Sequence, residues 1–216
     1  MQRAIVFVGG ELCDISRLKI TPHDFIIGVD SGAAHALHYG LIPNIAIGDF
    51  DSIPAETKAE LMRRGVPLKT FPVDKDYTDL ELALEHCLQL SVNEIVLTCA
   101  LGGRLDMILG NVLMLARPEY SKIKCSIVDG DTIGIITGAI SACPARLEIL
   151  TTPGDTISLI PLTPTVEGVT ITGTQWLLND HTLTFGSAGT LSNRAVETAV
   201  SVSHRAGIML VIHTIK

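Results

Sequence analysis

The chain has 216 residues, 47% of them hydrophobic, enough to bury a substantial core as one large domain or two small ones, which excludes a disordered chain. Its formal net charge is −7, from 16 basic and 23 acidic residues, with no Lys/Arg block of the kind that neutralises a polynucleotide backbone, so nucleic acid is a poor partner. The uncharged stretch Thr132 to Ala145 is interrupted by glycine and proline and falls short of the ~20 apolar residues that span a bilayer.

The first apolar run, Ala4–Val8, is too short for a signal h-region and suits a buried strand. Further strands are expected at Phe25–Val29, Ile45–Ile47, Leu68–Phe71, Glu94–Thr98 and Lys124–Val128, alternating with helices at Ala33–Tyr39, Ala55–Arg64, Asp79–Leu90 and Leu105–Ala116. That alternation is the pattern of a parallel sheet covered by helices. The third helix has the clearest start, because Thr78-Asp79-Leu80-Glu81 fits a capping box and Leu80, Leu84, Cys87 and Leu88 follow at helical spacing. Beyond about Asp131, Thr, Gly and Ile dominate and turn signals recur every 8 to 12 residues, as in an antiparallel β-domain. One stretch there, Ser192–Val200, reads as a helix candidate despite its β-branched content. The expected fold is thus an N-terminal parallel-sheet α/β domain over residues 1–131, then a smaller C-terminal antiparallel β-sandwich domain over residues 132–216. The five cysteines are odd in number and form no Cys-x-x-Cys pair; they read as reduced thiols of a cytoplasmic protein.

Ligands of open α/β sheets sit beyond the carboxyl ends of the strands, and here those ends are acidic. Asp30 follows the second strand, Asp49 and Asp51 the third, Asp74, Asp76 and Asp79 the fourth, and Asp106 lies past the fifth, so seven carboxylates are expected on one edge. Asp49 and Asp51, two apart in an extended segment, would point to one side with Phe50 opposite, a geometry that chelates a hard cation such as Mg²⁺. A solvated turn or a helix cap explains any one of these acids equally well, but not their repetition after successive strands. Gly102-Gly103 before a helix offers backbone N–H groups to a phosphate, and Arg104 can hold phosphate oxygens bidentately; a tight strand-to-helix turn is the alternative. Lys75 can steer a phosphate or pair with its acidic neighbours. Trp176, the one tryptophan, can offer a flat face to a cationic ring or anchor the β-domain core.

In order along the chain, Gly48-Asp49-Phe50-Asp51-Ser52, Asp74-Lys75-Asp76-Tyr77-Thr78-Asp79-Leu80-Glu81 and Gly102-Gly103-Arg104-Leu105-Asp106 with Gly110-Asn111 resemble the motifs of thiamine pyrophosphokinases. Gly173, Trp176, Leu178, Leu183, Ser192-Asn193 and Gly207 to Ile212 resemble the thiamine-binding β-domain of the same family. The resemblance implies a homodimer whose α/β domain binds Mg-ATP and whose β-domain supplies a thiamine pocket. The reaction implied transfers the pyrophosphoryl group of ATP to the hydroxyethyl group of thiamine, giving thiamine diphosphate and AMP. Carried over by position, Asp49, Asp51, Asp74 and Asp76 are the metal and catalytic residues, and Asp51 or Asp76 takes the hydroxyl proton. Lys75, Thr78, Asp79, Gly103, Arg104 and Asp106 handle ATP with Asp30 at the strand edge, while Trp176, Ser192 and Asn193 contact thiamine.

Two departures from the family pattern stand out. Met107 occupies the position of a common histidine, and Ser31 stands where glycine is frequent, which would be costly if that position needed positive φ. The rival readings are another Mg-dependent phosphotransferase or nucleotide hydrolase, which leaves Trp176 idle, and a non-catalytic thiamine or nucleotide binder, which leaves the acids in surplus.

Overall fold

The computed structural model describes residues 2–51, 53–72, 76–139 and 144–216. The chain divides into two compact units, Met1–Met114 with Ile127–Gly130, and Leu115–Ser126 with Asp131–Lys216.

In the first unit, β1 (Arg3–Phe7), β2 (Phe25–Val29), β3 (Ile45–Gly48), β4 (Leu68–Thr70) and β5 (Glu94–Thr98) form a sheet in the order β5-β1-β2-β3-β4. Every pairing within it is parallel. Runs such as Ala4-Ile5-Val6-Phe7 and Ile95-Val96-Leu97 are buried without alternation, as strands covered on both faces require. The helices are α1 (Gly32–His38), α2 (Ala55–Arg63), α3 (Asp79–Gln89) and α4 (Leu105–Leu115). One apolar cluster gathers Ile5, Phe7, Ile26, Ala36, Val96 and Cys99, and another Ala33, Ala46, Phe50, Ile53, Leu61 and Val66, so α1 serves both. The capping box of α3 is present: Thr78 Oγ1 accepts from Glu81 N at 3.2 Å while Thr78 N donates to Glu81 Oε2 at 2.9 Å. The end of β6 (Lys124–Asp129) belongs to this unit, and Asp129 Oδ2 accepts from both Ala100 N and Leu101 N at 2.7 Å, fixing the turn after β5.

The second unit is an antiparallel sandwich. Its strands are β7 (Thr132–Ala139), β8 (Ala145–Leu150), β9 (Thr156–Pro161), β10 (Thr165–Thr172), β11 (Leu178–Thr184), β12 (Asn193–Arg194), β13 (Ala199–His204) and β14 (Gly207–Thr214). They pair in the orders β12-β9-β14-β7 and β11-β10-β13-β8. Ile157, Leu159, Met209 and Val211 from one sheet pack with Ile149, Val166, Val169, Ile171, Leu183, Val200 and Val202 from the other, which is what alternating strands with one buried face produce. A buried pair, His213 Nε2 and Asp155 Oδ2 at 2.8 Å, ties β14 to the turn before β9.

The helix expected over Ser192–Val200 is absent. Asn193–Arg194 instead pairs with Thr156–Ile157, Val196 N and Glu197 N both donate to Gly173 O, and β13 begins at Ala199. Tertiary pairing and the β-branched Val196, Thr198 and Val200 outweigh a weak helical period. Elsewhere the expected boundaries shift by a residue or so, as where Leu68–Phe71 ends at Thr70. Among the described residues no helix is long and apolar enough to cross a membrane.

Candidate functional site

A cleft of about 620 Å³ opens in the first unit beyond the carboxyl ends of β1, β2, β3 and β5 and at the amino ends of α3 and α4. Asp30, Asp49, Thr78, Asp79, Gly103 and Arg104 line it, together with Glu11, Ser31, Met107 and Asn111. Parallel strands all deliver their next residue to the same edge, which is why loops distant in sequence meet there.

The Asp49–Asp51 pair is built differently from an extended segment. Phe50 is left-handed (φ 58) and buried, so its ring enters the apolar cluster under α2 while Asp51 N turns back to Asp49 Oδ1 at 3.2 Å. The left-handed backbone costs roughly 1–2 kcal/mol, and burying a Phe ring returns about as much or more. The outcome still sets two carboxyl groups side by side: hydrogen bonding and charge repulsion from Asp49, with a smaller contribution from Asp30, hold the Asp51 carboxyl above its ordinary value. Two adjacent carboxyl groups, one of them held above its ordinary value by the other, are a donor set for a hard cation.

Asp30 is also left-handed (φ 46), and its N–H donates to Ile47 O at 2.9 Å. Ser31 has φ −59, so the strain anticipated at Ser31 falls on Asp30, where Asp tolerates it better than most residues. Gly102 (φ 82) and Gly103 (φ 74) make the left-handed turn into α4, and a Cβ at Gly102 would stand 2.6 Å from the Glu11 side chain. Arg104 forms a bidentate pair with Asp106, at 2.6 and 3.2 Å, both exposed. This pairing holds Asp106 below the usual carboxylate range and the guanidinium above its own.

All seven acids do not meet. Asp30, Asp49 and Asp79 line the cleft with Asp51 beside Asp49, whereas Asp76 is exposed outside the cleft lining and Asp106 is turned onto Arg104. Asp74 and Lys75 lie outside the described residues. Among the described residues no three His, Cys, Asp or Glu side chains assemble into a metal cluster. Thr78 lines the cleft, but its hydroxyl already serves the α3 cap.

Glu11 and Asn111 line the cleft, although neither carried a role from sequence. Glu11 follows the Gly9-Gly10 turn off β1, a position that the strand-end rule picks out once the strand is known. Asn111, 2% exposed, donates from Nδ2 to Ala100 O at 2.9 Å and leaves Oδ1 buried with no partner among the described residues. A buried amide oxygen without a donor costs about 1–3 kcal/mol, an expense that a ligand N–H or O–H reaching it would offset.

The second unit carries a hollow of about 40 Å³ lined by Leu159, Ile171, Trp176, Leu178, Leu191 and Asn193. Trp176 is 59% exposed, which rules out the core-anchor alternative. Its backbone is held by the buried Asn193: Oδ1 accepts from Trp176 N (3.1 Å) and Arg194 N (2.9 Å), and Nδ2 donates to Trp176 O (2.6 Å) and Thr174 Oγ1 (3.1 Å). The amide's two donors and two acceptor sites are thus all engaged, so Asn193 supports the tryptophan and has no bond left for a ligand. Ser192 (φ 58) is exposed, outside the hollow's lining, with its N–H on Ser158 Oγ at 3.0 Å.

With this geometry in place, comparison with known proteins is specific. The family model described as Thiamin pyrophosphokinase, catalytic domain, matches residues 17–127, and the one described as Thiamin pyrophosphokinase, vitamin B1 binding domain, matches residues 146–209. A thiamine pyrophosphokinase of Bacillus subtilis (strain 168) is 31% identical over 194 residues, spanning 89% of this chain and 88% of that protein. Thiamine pyrophosphokinase 1 of Oryza sativa is 26% identical over 167 residues, covering 74% of this chain and 62% of its own length. The crystal structure of the thiamine pyrophosphokinase from Bacillus subtilis superposes with a TM-score of 0.87 at 29% identity over 100% of both chains. At 18% identity the Candida albicans structure, with a TM-score of 0.79 over 99% of this chain and 89% of that one, shares the fold. The two matched segments fall one on the strand-edge cleft and one on the tryptophan hollow, and the chain belongs to the thiamin pyrophosphokinase family.

Proposed function

We propose that this chain is a thiamine diphosphokinase, transferring the pyrophosphoryl group of ATP to the hydroxyethyl oxygen of thiamine and releasing AMP. Residues 1–131 are then the ATP-binding catalytic domain and residues 132–216 the thiamine-binding domain, although the compact units divide differently, with residues 115–126 and Asp131 falling in the second. The observation that carries the reading is the Asp49–Asp51 carboxyl pair, with Asp49 lining a cleft that a glycine turn, Gly102-Gly103, and a helix start also line.

Adjacent carboxylates next to a triphosphate repel unless a divalent cation lies between them, and the raised Asp51 carboxyl beside Asp49 fits such an ion. Asp49 and Asp51 would hold Mg²⁺, with Asp74 and Asp76 completing the set as the family motif implies. When bound, the ion supplies charge neutralisation on the transferred phosphates. The chain's own residues do the rest. Backbone N–H groups at Gly103 and the Arg104 guanidinium receive phosphate oxygens, with Asp106 keeping that guanidinium in place. Thr78, Asp79 and Asp30 border the nucleotide, Lys75 joins them as the family motif implies, and Asn111 Oδ1 offers an acceptor. The thiamine hydroxyl attacks the β-phosphorus, its proton passes to Asp51 or Asp76, and AMP leaves; positioning and electrostatics supply the catalysis, and no covalent enzyme intermediate is needed.

Trp176 presents its indole face to the cationic aromatic ring of thiamine, and Ser192, which lines no part of the hollow, contacts thiamine only as the family motif implies. The working form is a homodimer. Leu105, Leu109 and Leu113 form an exposed stripe along one face of α4, a surface that a second copy would cover. Cys13, Cys87, Cys99 and Cys125 are free thiols, which suits the reducing cytoplasm.

The purified protein supplied with ATP, thiamine and Mg²⁺ is expected to release AMP and thiamine diphosphate in equal amounts. Release of ADP, or AMP no greater than in a thiamine-free control, would sink the reading. Light scattering at micromolar concentration is expected to give twice the chain mass; the monomer mass would remove the dimer.

A further inference from the structure

Cys13 and Cys99 meet beside the nucleotide cleft without lining it. Cys13 lies two residues past Glu11 on the segment that leaves β1, and Cys99 immediately follows β5. Their sulfurs are 3.7 Å apart, and Cys13 Sγ is 3.5 Å from Thr98 Oγ1. The backbone sets this approach. Gly10 N donates to Cys99 O at 2.8 Å, Glu11 N to Leu101 O at 3.1 Å, and the Tyr39 hydroxyl donates to the Cys13 carbonyl. Cys99 adopts a left-handed conformation (φ 51) that turns its side chain into the core, where it is buried, whereas Cys13 is partly exposed.

The two thiols differ chemically as well as in access. A hydrogen bond from Cys99 stabilises the Cys13 thiolate and brings Cys13 down to about 7, against the opposing effect of partial burial. The same hydrogen bond and burial push the Cys99 thiol up. The accessible sulfur is thus the one favoured to ionise and its buried neighbour the one that keeps the proton, the division of labour between an attacking and a resolving cysteine. Cys87 and Cys125 are buried, and burial pushes Cys125 up to about 12, so neither competes as a nucleophile.

We propose that Cys13 and Cys99 form an oxidisable dithiol that a hydroperoxide converts to a disulfide, loosening nucleotide binding in the adjoining cleft. In the first step the Cys13 thiolate attacks one peroxide oxygen; an S–O bond forms, the O–O bond breaks, and the departing hydroxide takes a proton to become water. In the second, Cys99 sulfur attacks Cys13 sulfur; the S–S bond forms, the S–O bond breaks, and the hydroxyl leaves with the Cys99 proton as a second water. Two thiols and one hydrogen peroxide give one disulfide and two waters, each sulfur losing one electron to the peroxide. Closing from 3.7 Å to the roughly 2.05 Å of an S–S bond draws the Cys13 side inward, because Cys99 is fixed in the core. Glu11 and Gly10 ride on that segment and line the cleft, so its wall moves with them.

The test treats the full-length protein with hydrogen peroxide, blocks remaining thiols, and examines digests by mass spectrometry alongside binding of a non-hydrolysable ATP analogue. A Cys13–Cys99 cross-linked peptide is expected, absent from Cys13→Ser and removed by dithiothreitol, with analogue affinity falling about tenfold in the oxidised wild type and unchanged in Cys13→Ser. In Cys99→Ser, Cys13 is expected to stop at the sulfenic acid and to be trapped by dimedone. Recovery of Cys13 and Cys99 as separately blocked thiols, or Cys13 linked to Cys143 instead, would overturn the site, and a cross-link with unchanged affinity would overturn its coupling to the cleft. Neither readout needs turnover, so a failed transferase assay and a failed cross-link are told apart.

Discussion

The two units support their candidate ligand surfaces in opposite ways. In the first, the cleft is distributed: several strand ends contribute residues, and left-handed backbone at Asp30, Phe50, Gly102 and Gly103 sets their directions. Removing any one acid leaves the others where they are, because strand pairing and the buried Phe50 ring place them rather than contacts among the carboxylates. In the second, the Trp176 platform rests chiefly on one buried amide, Asn193, whose four hydrogen bonds include two to the Trp176 backbone, with Thr174 Oγ1 donating a further one to Trp176 O. A distributed site separates activity from stability, and a site hung on one residue couples them.

The largest expected effect breaks the first half of that contrast. Asp51→Asn keeps shape and removes charge, and should lower kcat by about 10²–10³. Its melting temperature should hold or rise, since the charged carboxylate is disfavoured beside Asp49. Loss of folding in step with activity would show that the acids hold the fold. Asn193→Ala tests the other half: leaving backbone groups of Trp176 and Arg194 without partners should cost about 2–3 kcal/mol in denaturant unfolding and also raise KM for thiamine. If KM rises with stability intact, Asn193 is a ligand contact and not a support. Trp176→Ala sharpens the distinction. The indole is mostly exposed, so stability should not change, KM for ATP should hold, and KM for thiamine should rise about 5–30-fold, the worth of a cation–π contact.

The smallest effect is pH-linked and belongs to the second unit alone. Burial by itself would raise the Asp155 carboxyl, but hydrogen bonds from Thr152 N, His213 and Lys216 N more than offset it and hold the group below its ordinary 3.8. A depressed carboxylate contributes stability that is fully present above its unfolded value and lost as pH falls through the folded value. Asp155→Asn should therefore be less stable than the wild type at pH 7, with the gap shrinking only below about pH 4. A gap that is constant down to pH 2.5 would mean that the charge contributes nothing.

Much of the first unit was legible because its signals are local. β2 and β5 have the boundaries that their β-branched runs suggest, and Thr78 and Glu81 form the capping box that their spacing announces. What sequence missed was set by tertiary contact. Alternation would put Asp49 and Asp51 on one side of an extended segment, but burial of Phe50 forces a left-handed turn that joins the same two carboxyls by another route. The helical reading of Ser192–Val200 failed because Asn193 and Arg194 pair with β9 and the following residues bond to Gly173, partners 20 to 40 residues distant. Separation along the chain also hid the role of Asn193, 17 residues from Trp176, and the His213–Asp155 pair, 58 residues apart, since no short window contains both members. Glu11 escaped notice because a lone acid after two glycines has no pattern until the strand ends are assembled into one edge.

The most direct test of the central claim follows phosphorus through the reaction. With ATP labelled at the γ-phosphorus, thiamine and Mg²⁺, the account predicts label in the terminal phosphate of thiamine diphosphate and unlabelled AMP released with it. Label appearing in thiamine monophosphate with ADP as co-product, or as free phosphate without any thiamine ester, would contradict it.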